Sequence, residues 1–381
     1  MFKFAANLLN FMNMFILSRK DLYKLSIMIL IASILFGIPG LIIMMTLQWV
    51  TMQRYAQDDF EKHGISQASA SRLGGVSILF SWLGLVVAAI FFGYVDTPLV
   101  EFSGPYNVYW LTILSCGLLG LIEDLHNNVL SPKLRLLMEI LIFSFALYFW
   151  PLLIPVSFEM TFVNELMRYS FFGWLITVIF CVGFINAVNM ADGANGLMSG
   201  VMTIAFGVFY LTTNEFHFAA LMTVCGIFTI FNIISGKLFM GDCGAYGLGA
   251  CAVMSSLYLF SIGYFSASFL ACLFAYPCIE IVCTLSRRII ARRSIFLPDN
   301  DHLHNRLHSH FKNSLSSSTL ANSLTGLFLV FCSSGITVLG FIGEWPLIGN
   351  HWVWMFIGQA AAYVFAFICL GIKQNFKKSE N

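Results

Sequence analysis

Residues Ser170 to Leu197 read SFFGWLITVIFCVGFINAVNMADGANGL. An apolar run long enough to cross a bilayer ends in four amide or carboxylate side chains set three residues apart, Asn186, Asn189, Asp192 and Asn195. Hydrocarbon costs several kcal/mol for each unsatisfied polar group. The cluster must therefore face water, a cation or a polar ligand rather than acyl chains. Gly193 and Gly196 lie between its members, where glycine permits close backbone approach or a left-handed turn.

Working outward, the 381 residues are 59% hydrophobic and 10% charged with 39 Phe, and the mean hydropathy is +0.82. Soluble domains carry about 25% charged residues, so this is an all-α, polytopic integral membrane protein. A membrane helix needs about 20 mostly apolar residues. Candidate spans fall at 25–48, 76–95, 107–123, 136–151, 169–187, 197–213, 218–235, 245–264, 267–286, 320–341 and 352–372, about eleven in all. No stretch between them is long enough for a soluble domain, so residues 1–381 form one membrane-embedded domain. Residues 1–21 read as an interfacial helix, 287–318 as a long cytoplasmic loop and 373–381 as a cytoplasmic tail. The ten cysteines include no CxxC pair or loop framework, so neither a zinc site nor disulfides are expected. A net charge of +1 gives no reason to expect nucleic acid.

Lys and Arg accumulate in cytoplasmic loops. If the loop after the first span is cytoplasmic, alternation places fifteen of the twenty basic residues inside; Lys3, Arg19, Lys20, Lys24 and Arg168 are the exceptions. The same face then receives the cluster at 186–195, the pair Glu123-Asp124, Gly241-Asp242, and Asp299-Asn-Asp301-His302-Leu-His304. Carboxylate and amide oxygens suit Mg²⁺. Lys133, Arg135, Lys237 and the arginines after the ninth span suit phosphate. Each cluster also has a plainer reading. Adjacent acids can be solvated loop charge, Asp242 can cap a helix, and interfacial histidines can be simple polar surface. Glu280, inside a span, is a functional candidate by its depth, or a partner of Arg287. A secondary transporter would also have many spans and buried polar residues, but its site would lie near the midplane between repeated halves.

Taken in order, Ser71-Arg72-Leu-Gly74-Gly75, Gly120-Leu-Ile-Glu123-Asp124, NAVNMADGANGL, Phe239-Met-Gly-Asp242-Cys-Gly-Ala and Pro298-Asp-Asn-Asp-His302-Leu-His304 resemble the polyprenyl-phosphate N-acetylhexosamine-1-phosphate transferases. That family includes the phospho-N-acetylmuramoyl-pentapeptide transferases. The resemblance spans roughly residues 50 to 340. It implies transfer of a sugar 1-phosphate, GlcNAc-1-phosphate by default, from a UDP-N-acetylhexosamine to a polyprenyl phosphate lipid. UMP is released, Mg²⁺ (or Mn²⁺) is the cofactor, and the setting is the cytoplasmic face of a bacterial inner membrane; a homodimer is compatible with it. Residue by residue, it implies Asp242 as the metal ligand and Glu123, Asp124, Asp192, His302 and His304 as catalytic candidates. One of the paired acids would deprotonate or orient the lipid phosphate. Arg72, Lys133, Asn186, Asn189, Asn195 and Arg293 would bind substrate, with Asn195 in a uracil pocket. The chain departs from the commonest family form with Glu123 in place of Asp, Asn195 in place of Asp, Ala245 in place of Ser and Asn305 in place of His. The pentapeptide-transferase branch fits less well because its last loop carries a longer histidine run.

Overall fold

A computed structural model describes residues 19–52, 70–93, 106–126, 129–156, 161–167, 169–294 and 301–379. Most of the expected interfacial helix, Arg168, and residues 295–300 of the expected loop lie outside these. In chain order the helices are α1 (Arg19–Thr51), α2 (Gly74–Phe91), α3 (Tyr106–Leu125), α4 (Pro132–Phe149), α5 (Thr161–Met167), α6 (Ser170–Ala191), α7 (Leu197–Thr213) and α8 (Phe216–Ser235). They continue as α9 (Gly241–Ser261), α10 (Ala267–Leu273), α11 (Ala275–Ile290), α12 (Leu303–Lys312), α13 (Ser318–Val330), α14 (Ile336–Ile342) and α15 (His351–Ser379). Among the described residues there is no strand, only a single bridge between Ser71 and Leu238.

Each of the eleven predicted spans falls on a helix, yet among the described residues length and composition qualify only eight, or nine if the pair α10–α11 counts as one span bent by 86°. The count of eleven is therefore not reached. Two features account for the difference: α4 carries Lys133, Arg135 and Glu139, and α7 is only 17 residues long. The expected loop 287–318 is also partly helical. In α12, Leu303, His304, Leu307 and His308 share one buried face, which gives a short segment an apolar side to pack.

The bundle is organised around α9, buried along nearly its whole length. Its Gly244, Ala245, Gly247, Gly249 and Ala250 are small, and small residues let membrane helices approach closely. Helices α2, α3 and α6 pack against it. The segment before α2 docks beside the start of α9: Ser71 N–H donates to Lys237 O at 3.0 Å, Phe239 N–H to Ser71 O at 2.8 Å, Gly74 N–H to Phe239 O at 3.0 Å and Gly75 N–H to Met240 O at 2.7 Å. By contrast α15 keeps most of its apolar surface outward, as a lipid-facing helix should.

Candidate active site

The polar clusters meet where helix ends converge. At the end of α3, Asp124 reaches the first turn of α9, where its carboxylate accepts the N–H of Asp242 at 3.0 Å and of Cys243 at 2.8 Å. A helix start has amides without intrahelical partners, and a neighbouring carboxylate satisfies them. Both oxygens of Asp124 are thus occupied in joining α3 to α9. Its neighbour Glu123, 7% exposed, accepts the N–H of Leu130 at 3.0 Å and so ties down the turn that leads into α4.

Asp242 stands at the centre. Its Oδ1 accepts Asn189 Nδ2 at 3.1 Å, and Oδ2 lies 3.9 Å from Arg135 Nη1 on α4. One cavity is lined by Arg72, Asn189, Asp192, Asn195, Asp242 and, from α8 and α13, Asn232 and Asn322. Asp192, just past α6, has its carboxyl pushed up to about 7, first by burial and then by the negative charges of Asp242 and Asp124. The four-residue stripe splits at this point. Asn189, Asp192 and Asn195 line the cavity, whereas Asn186 turns away and donates to Glu139 Oε2 at 2.6 Å.

The histidines belong to an adjoining buried network. His302 Nδ1 lies 2.9 Å from Glu280 Oε1 and His304 Nδ1 lies 2.9 Å from Tyr276 Oη. The two rings stack with centroids 5.2 Å apart. Glu280 also accepts from Tyr363 Oη at 2.7 Å, Tyr276 Oη at 3.2 Å, Thr284 Oγ1 at 3.1 Å and Leu303 N–H at 3.3 Å. It is a carboxylate fully paired inside the bundle, with His302 as its partner where Arg287 was the alternative. The ring of His304 also lies over Gly193, where any Cβ would overlap it, so this glycine brings the histidine pair to the cavity edge. Gly196 has φ +75°, the left-handed turn expected of it.

Lys133 and Arg293 are exposed and lie outside the cavity lining. Sequence reasoning missed Glu139, Tyr276, Tyr363, Asn232 and Asn322. A signal existed for Glu139, an acid inside an apolar helix, and for Tyr276-Glu280-Thr284, polar residues at helical i, i+4 spacing. Nothing local marks the others.

Among the described residues no three or more His, Cys, Asp or Glu side chains form a metal cage. Mg²⁺ does not need one, since it binds through one or two carboxylates and completes its shell with water and substrate phosphates. The donor set suits that pattern: Asp242 and Asp192 line a single cavity and repel across it.

The model of glycosyl transferase family 4 matches residues 106–260, which include Glu123, Asp124, the 186–197 stripe and Asp242. A probable undecaprenyl-phosphate N-acetylglucosaminyl 1-phosphate transferase of Bacillus subtilis is 27% identical over 299 residues, covering 74% of this chain and 77% of the relative. A phospho-N-acetylmuramoyl-pentapeptide-transferase of Staphylococcus carnosus is 26% identical over 235 residues, 57% of this chain and 71% of the relative. An undecaprenyl-phosphate alpha-N-acetylglucosaminyl 1-phosphate transferase of Thermotoga maritima is 31% identical over 201 residues, 52% and 60% respectively. The resemblance stated from the motifs therefore holds: the chain is similar to the polyprenyl-phosphate sugar-1-phosphate transferases, and its residues 106–260 match the glycosyl transferase family 4 model.

Proposed function

We propose that the protein transfers N-acetylhexosamine 1-phosphate, GlcNAc-1-phosphate first among the choices, from a UDP-sugar to polyprenyl phosphate at the cytoplasmic face of a bacterial inner membrane. This would be the first membrane step of a surface glycan such as O-antigen or capsule. The observation that carries the reading is one cavity at convergent helix ends, lined by two carboxylates, an arginine and a group of amides. A lipid phosphate and a charged nucleotide can meet only where bilayer and water meet, and the helix ends are that place. The midplane site of a transporter is a different location.

In this reaction an oxygen of the lipid phosphate attacks the β-phosphorus of the UDP-sugar. The bond from that phosphorus to the bridging oxygen breaks, and UMP leaves. Phosphoryl transfer is mostly positioning and charge stabilisation. Arg72 and Arg135 supply donors for phosphate oxygens, and Asn189 and Arg135 hold the carboxylate of Asp242 in place. Asp242 and Asp192 would hold a Mg²⁺ ion, which supplies neutralisation of phosphate charge. No protein base is required, since a phosphate monoester with a second pKa of about 6 is largely ionised at neutral pH. That agrees with Asp124 being engaged by two backbone amides. His302 and His304, oriented by Glu280 and Tyr276, flank the cavity as polar contacts for phosphate or sugar.

The test is purified protein with undecaprenyl phosphate, Mg²⁺ and a panel of labelled UDP-sugars that includes UDP-N-acetylmuramoyl-pentapeptide. UMP release with a UDP-N-acetylhexosamine, abolished in Asp242→Ala, is the expected result. Turnover with the pentapeptide donor alone would favour the second reading, which the Staphylococcus carnosus relative supports. No UMP from any donor, with Asp242→Ala indistinguishable from the parent, would sink the enzyme reading.

A further inference from the structure

Three helices meet beside Asp242, and each brings two side chains one turn apart: Arg135 and Glu139 on α4, Asn186 and Asn189 on α6, Asp242 and Tyr246 on α9. Glu139 is fully buried. Its Oε2 accepts Asn186 Nδ2 at 2.6 Å, while Oε1 has no hydrogen-bond partner. A buried carboxylate needs a counter-charge, and Arg135, one turn away on the same helix face, attracts it. Arg135 also faces Asp242, yet its Nη1 stays 3.9 Å from Oδ2, beyond hydrogen-bond length, with the guanidinium 5.8 Å from the centre of the Tyr246 ring. An arginine beside an aspartate frequently closes into a two-bond fork, as Arg306 does on Asp301 at 2.6 and 2.8 Å. Arg135 is instead shared between two carboxylates and closes on neither.

We infer that Glu139 is a positioning residue whose buried charge draws Arg135 back from Asp242, so that the aspartate keeps lone pairs for a divalent cation. The inference rests on the reading of Asp242 as a cation ligand. A guanidinium forked onto Asp242 would occupy both carboxylate oxygens and bring a positive charge to the place where the cation binds. Held between the two acids, Arg135 steadies Asp242 and leaves it open. Asn186, by donating to Glu139 Oε2, fixes that carboxylate with Oε1 as its free acceptor, which gives the stripe residue that turned from the cavity a part in its chemistry.

Binding of Mn²⁺ to the purified full chain in detergent, read by electron paramagnetic resonance, tests this without turnover. Glu139→Gln keeps an amide oxygen for Asn186 and removes the charge; it should weaken Mn²⁺ by roughly tenfold or more, the scale of one charge-assisted hydrogen bond. Glu139→Asp keeps the charge but shortens its reach to Arg135. It should weaken Mn²⁺ in the same direction, and it carries the same test should the neutral variant not fold. In an Arg135→Gln background neither change should matter, because no guanidinium remains to close on Asp242. If Glu139→Gln weakens Mn²⁺ equally in both backgrounds, its charge acts only at long range. That result, or parental binding in the variants that fold, would overturn the inference and leave the cation role of Asp242 standing. Failure of that role has its own signature, an Asp242→Asn variant that binds Mn²⁺ as the parent does or a parent that binds none, and it takes this inference with it.

Discussion

Asp192 joins the cavity's chemistry to its pH dependence. Its carboxyl is pushed up to about 7 by burial and by Asp242 and Asp124, well above the ordinary value of about 3.9. For a group raised in the folded state, its contribution to stability is whole below about pH 4 and is lost as pH rises through about 7. The melting temperature of the ligand-free protein should therefore fall between about pH 4 and 7, and fall less in Asp192→Asn. Identical slopes would show that Asp192 ionises as freely as in the unfolded chain. Glu280 is a second residue whose partners define it. Glu280→Gln removes the charge that holds His302 Nδ1, and a hydrogen bond to a charged group is worth about 1.5–3 kcal/mol, roughly 10- to 100-fold. UMP release should drop by that order with the fold retained; unchanged turnover would make the network structural only.

At the scale of elements, the contact between α3 and α9 carries the site. A Cβ at Gly120 would fall on the backbone of Asp242 and Cys243, the same two residues whose amides Asp124 accepts. Gly120→Ala should destabilise the protein by about 1–3 kcal/mol or more through overpacking, and should depress turnover further by moving Asp242. A variant with parental melting temperature and full activity would contradict the close approach. The helices themselves were readable, because long apolar runs bounded by polar clusters state their length and ends. The break between α10 and α11 was not. Residues 267–286 read as one apolar span, and the 86° bend directs α11 toward α12, where Glu280 meets His302.

For the whole molecule, the convergence of Asp124, Asn189, Asp192, Asp242 and the histidine pair is the arrangement that alternating spans predicted. The cytoplasmic side is a separate expectation with its own measurement. A cysteine placed at exposed Lys133 should react in intact cells only with a membrane-permeant reagent, beyond the background of the parent's own Cys369. Rapid reaction with an impermeant reagent would invert the topology.

The sequence by itself determined the membrane class, the positions of the helices, and which motif residues had to share a face, since composition, run length and charge placement are local properties of the chain. Only the tertiary structure decided what each polar group does. Asp124 and Cys243 are 119 residues apart, Asn195 and Ser323 128 apart, and Glu280 and Tyr363 83 apart. Such partners are chosen by how helices pack. In a low-dielectric interior every buried donor and acceptor must find a partner or remain costly, and no local pattern states which distant residue will supply it.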